Sequence, residues 1–164
     1  MARRLAGLTI LAGLAIVSVT SLAAKGPTVK LTIAGGHLTH EIQVTNPKAL
    51  VNIWDGTRKS EGWFDFPRPF IGSIVSEPNI ALPRYTVAFY VDAFEKPDNV
   101  RKLYVVRYVP DPETGTGFVY LPKATDPDGA LNRGASHGDR DGHWVRASDE
   151  WSHAINAQLA ATGR

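Results

Sequence analysis

The chain has 164 residues, 43% hydrophobic and 21% charged, with 15 Gly and 11 Pro that follow no fixed period. This excludes a disordered, collagen-like or low-complexity chain. The absence of cysteine excludes disulfides, zinc–thiolate sites, iron–sulfur clusters, a cysteine nucleophile and a lipidated-cysteine anchor.

Residues 1–24 read as a cleaved signal peptide. Arg3 and Arg4 form its positive end, residues 5–19 are uncharged, and Ser21, Ala23 and Ala24 are small enough for a cleavage site. Gly26 and Pro27 would break a continuing helix. The alternative is an inner-membrane anchor through residues 5–24. That run is rich in Ala and Gly and short of the roughly 20 strongly apolar residues of a full span. The leader also holds the charge imbalance. The net charge is +2, and without Arg3 and Arg4 the Lys and Arg equal the Asp and Glu. The remaining cations are scattered, so no basic face for nucleic acid is expected. Residues 25–164 suit one domain, exported to the periplasm or the extracellular space.

In chain order, residues 29–33 alternate apolar and polar as a half-buried strand does, and Gly35 and Gly36 signal a hairpin turn. The return strand would place Leu38, His40, Ile42 and Val44 on one face. His37 and His40, three apart, would then point opposite ways and not chelate together, and His40 reads as a core or rim residue. Asn46 and Pro47 open a short helix closed by Asp55 and Gly56. Residues 57–83 hold no period and read as a long loop or irregular edge. Strands follow at residues 85–92 and 103–109, separated by a turn at Pro97, Asp98 and Asn99. The second is apolar or aromatic on both faces, which predicts a central place in the sheet. Residues 118–121 return from a loop rich in breakers, and 143–146 form a short strand. Ser148 caps a C-terminal amphipathic helix with Trp151, Ile155 and Leu159 on one stripe, ending near Thr162. The fold class expected is α+β: a mainly antiparallel sheet, the C-terminal helix, and one short helix after the first hairpin.

Two sets of residues carry candidate chemistry. His137, Asp139, Asp141 and His143 are spaced by two, so an extended strand would put two imidazoles and two carboxylates on one face, a donor set for a divalent metal. The competing reading is a hairpin, because Asp141 and Gly142 are a turn pair. Thr125 to Gly129 shares part of a calcium-loop pattern but lacks the later glutamate, and reads as a turn. The second set, Trp63, Phe66, Arg68 and Arg107, offers rings and cations for a ligand or partner protein, against the plainer reading that the rings fill the core. Arg107 shares a strand face with Leu103, Val105 and Val109, so its charge needs a carboxylate such as Asp92 or Asp65, or a ligand's. No hydrolase, zinc-protease or phosphate-loop motif is present. The reading that follows is an exported, non-catalytic ligand- or protein-binding module with no cofactor. The alternative is a small exported metal-assisted enzyme using the His137, Asp139, Asp141 and His143 cluster.

Overall fold

A computed structural model describes residues 25–45, 70–93, 96–132 and 138–162. The expected leader, the short helix after the first hairpin, and Trp63, Phe66, Arg68 and His137 lie outside these residues. The fold is α+β. Seven strands are β1 (Lys25–Gly35), β2 (Ile42–Val44), β3 (Phe70–Val75), β4 (Tyr85–Ala93), β5 (Lys96–Pro110), β6 (Gly117–Tyr120) and β7 (Trp144–Ala147). They form one sheet in the order β2-β1-β4-β5-β6-β7-β3, and every pairing is antiparallel. Helix α1 (Gly129–Asn132) is one turn, and α2 (Asp149–Thr162) is the C-terminal helix.

The alternation of apolar residues builds the inner face. Leu31, Ile33, Val87, Phe89, Tyr104, Val106, Tyr108, Val119 and Val145 pack into one core with Trp151 and Ile155 of α2. Ser148 caps α2 as expected: its Oγ accepts from Trp151 N–H at 3.3 Å and its carbonyl from Ser152 N–H at 2.9 Å. The Trp151 ring meets Tyr108 edge-on at 5.2 Å, and the Tyr108 hydroxyl donates to Asn156 Oδ1 at 3.1 Å. Burial of Trp151 and Ile155 stabilises this docking by about 2–3 kcal/mol each. Gly117 lies against the Tyr108 ring, where any Cβ would collide with it.

β5 is the central strand, as its two apolar faces require. Three local expectations are corrected: the first hairpin turn, the place of His40, and the turn at residues 97–99. The first hairpin does not close through a two-residue turn. Gly36 has a φ of 58° and Leu38 N–H bonds Gly35 C=O, but regular pairing resumes only at Ile42. His40 therefore precedes the return strand and is exposed, while Leu38 packs on the core. Residues 97–99 are strand rather than turn, because Lys96 already pairs with Ala93. Within the aperiodic 57–83 stretch, the described part agrees with the irregular-edge alternative: Phe70–Val75 is an edge strand on β7. Its register breaks between Ile71 and Ile74, which explains the missing period. The Gly- and Asp-rich region holds α1, which packs against β5.

Among the described residues no helix is long and apolar enough to cross a membrane.

Candidate functional site: an arginine–aromatic ladder

Residues directly opposite one another in an antiparallel sheet share a face. The registers place Ala34, Thr86, Arg107, Tyr120, Trp144 and Val75 in one row across six strands, on the face away from α2. Its middle is a pair of rings flanked by two cations, one of them Arg84 from just before β4. The Arg107 guanidinium lies over the Tyr120 ring at 5.4 Å, Tyr120 and Trp144 are 5.3 Å apart, and Arg84 lies over Trp144 at 5.3 Å. The adjacent row repeats the motif, with Arg146 over Phe118 at 4.3 Å. A guanidinium over a ring face is held by the ring quadrupole while its edge stays free for hydrogen bonds.

The three arginines differ in their partners. Arg84 bonds Glu77 Oε1 at 3.0 Å and the Pro78 carbonyl at 3.2 Å, which clasps the turn at Asn79 to the sheet. Arg146 bonds Asp111 Oδ2 at 3.1 Å. Arg107 has no carboxylate or carbonyl partner among the described residues; its contact is the Tyr120 ring. The ion pair expected with Asp92 or Asp65 is not described. Arg107 sits opposite Thr86, and Asp92 lies six residues further along β4, opposite Val100.

Acidic groups border the ladder. Tyr120 donates to Asp126 Oδ2 at 2.8 Å, and the same oxygen accepts from Lys123 N–H at 3.0 Å. Burial pushes the Tyr120 hydroxyl up to about 12, and the bond to Asp126 and its charge add to this, while Arg107 pulls the other way. Asp126 thus works as a turn residue: Gly129 N–H bonds its carbonyl at 2.9 Å. In the neighbouring loop, burial raises the Asp111 carboxyl. The Thr114 hydroxyl, Glu113 N–H and Arg146 outweigh that and leave it below its ordinary value.

Of the four residues with metal-ligand spacing, the three described, Asp139, Asp141 and His143, do not form an extended strand. Gly138–Arg140 is one turn of 3-10 helix, continued by bonds from Asp141 N–H to Gly138 C=O and from His143 N–H to Arg140 C=O. Gly138 and Gly142 hold positive φ of 68° and 85°, so the backbone turns where the alternation needed it straight. Asp139 and His143 are exposed. Asp141 is half-buried, and its charge adds to the burial that raises the Tyr104 hydroxyl. Among the described residues no three His, Asp or Glu side chains converge as a metal site.

The sequence reading placed Arg107 on this face but missed Thr86, Tyr120, Trp144 and Arg84. A signal was present: Phe118 and Tyr120, and Trp144 and Arg146, are each spaced by two and so share a face.

No protein-family model, curated protein or solved structure matches the chain.

Proposed function

We propose that this protein is an exported, periplasmic or secreted, non-catalytic domain that binds a small ligand on the outer face of its sheet. The observation that carries the reading is the one-sided ladder. Its Arg84 end is closed by Glu77 and Pro78, and its Arg107 end is open beside the exposed Thr86. The rings between them fix the Arg107 guanidinium without consuming its donors, which is the pre-organisation a binding group needs. The reading also draws on the leader-like residues 1–24 and on the balance of charge beyond them.

The test is a fragment screen read by protein 1H–15N shifts on protein recovered from a bacterial host without chelator, with its mass recorded. Loss of the leader, together with shifts clustered on Thr86, Arg107, Tyr120 and Trp144, is the expected result. Retention of the leader rejects a cleaved and released domain and favours the anchor through residues 5–24. Shifts confined to other surfaces, or none, reject this face as the binding site.

A further inference from the structure

We propose that the open end of the ladder recognises a hydroxylated monocarboxylate of the sugar-acid type, with Arg107 taking the carboxylate; this rests on the ligand-binding reading above. The argument starts from the guanidinium fork, which matches two oxygens of a planar carboxylate and forms charge-assisted bonds about twice as strong as neutral ones. Arg107 is half-buried and held over Tyr120, so little side-chain entropy remains to be lost on binding. Its cross-strand partner Thr86, on the side of β5 away from Tyr120, is exposed and carries a hydroxyl on the same face.

The surrounding charge selects among anions. Arg84, Arg107 and Arg146 stand with Glu77, Asp111 and Asp126, three cations with three carboxylates. Arg84 and Arg146 are each bonded to a carboxylate, which leaves Arg107 as the one guanidinium of the three without such a partner among the described residues. Such a site suits one negative charge and disfavours a phosphate dianion, which needs further cations to offset its second charge. The acids also give the ligand's uncharged groups a role. Asp126 uses Oδ2 for both the Tyr120 hydroxyl and Lys123 N–H, and no bond is made to its Oδ1 among the described residues. That oxygen, at the far end of the ring carrying Arg107, is an acceptor for a ligand hydroxyl.

The experiment titrates the full chain with glucuronate, glucose and inorganic phosphate, read by the Arg107 Nε–H and the Thr86 and Tyr120 resonances. Glucuronate should move all three, glucose should bind at least tenfold more weakly, and phosphate should bind more weakly than glucuronate. R107Q should weaken glucuronate binding by about tenfold or more, the size of one charge-assisted hydrogen bond. R107K keeps the charge and loses the fork; it should also weaken binding, and it serves if R107Q fails to fold. Phosphate binding as tightly as glucuronate, or glucuronate binding unchanged in both variants, overturns the proposal. A glucose response on the same row that is independent of Arg107 overturns the acid specificity and leaves the binding face standing. Silence of the row toward glucuronate overturns the proposal, and the fragment screen then decides the wider reading separately.

Discussion

The side-chain amide of Asn132 pairs with the backbone of Val105 as a strand would, accepting from its N–H at 2.9 Å and donating to its carbonyl at 2.7 Å. On its other side β5 pairs with β4 through Val105 and Ala88, and the β5–β6 register begins only at Arg107. One amide on α1 therefore completes the ladder where β6 has ended. N132L should leave both Val105 groups buried without partners, at a cost of about 2–4 kcal/mol. N132D should recover part of this, because it can accept from the N–H but presents an oxygen to the carbonyl. Urea denaturation checks this, with an unchanged m-value expected.

Gly129 makes a helix-propensity expectation reverse its sign. Alanine in a helix is ordinarily favoured over glycine by up to about 1 kcal/mol. At Gly129 a Cβ would run into the Lys123 backbone carbonyl, which cannot swing away as a side chain could. G129A should destabilise by about 1–3 kcal/mol and increase exchange of the Val105 amide, since α1 carries Asn132. G115A is the control: its φ is 73°, but a Cβ there meets open space, so only backbone strain of about 1 kcal/mol is expected. Equal losses in the two variants would refute the steric argument.

The Asp111 carboxyl titrates below its ordinary value because hydrogen bonds from Thr114, Glu113 N–H and Arg146 outweigh its burial. This stabilisation is complete above the ordinary carboxylate range and is lost as pH falls through the lowered folded value. Stability measured from pH 7 downward should show this acid limb in the wild type and a shallower one in D111N. A double-mutant cycle with R146Q should give a coupling of about 1 kcal/mol at neutral pH, as expected for a partly exposed pair.

Tyr120 predicts the opposite limb. Its hydroxyl is raised from 10.0 to about 12 by burial first and Asp126 next. The protonated ring is favoured in the folded state, so its contribution is complete below pH 10 and is lost as pH rises toward 12. Absorbance of tyrosinate should show this phenol ionising late, and D126N should move it earlier. Y120F should shallow the alkaline limb only in part, because Tyr104 and Tyr108 are also raised by burial.

What the sequence revealed depended on how far apart the interacting residues lie. The Trp151, Ile155 and Leu159 stripe, the Ser148 cap and the two-faced apolar β5 are local patterns, and the structure has each of them. β3 was legible only as an irregular edge, because a bulge near Gly72 and Ser73 removes its alternation. The role of Asn132 was illegible because nothing local marks a side chain that bonds a backbone 27 positions away. The metal-like spacing misled for a related reason: alternation implies one face only if the backbone is extended, and Gly138 and Gly142 turn it. Arg107 was legible as a charge in need of a partner. Its ring was not, since Tyr120 comes opposite it only through the β5–β6 register.

β3 and β7 also impose an order of events on a newly made chain. Phe70 pairs with Ala147, so β3 emerges from the ribosome long before the strand it bonds to. Until then Phe70–Val75 is a strand with no charged residue to discourage pairing with another molecule. Pairings so distant along the chain close slowly. Translation must therefore reach residue 147 before the sheet can be completed, and a chain truncated before residue 144 would release β3 as an open, adhesive edge.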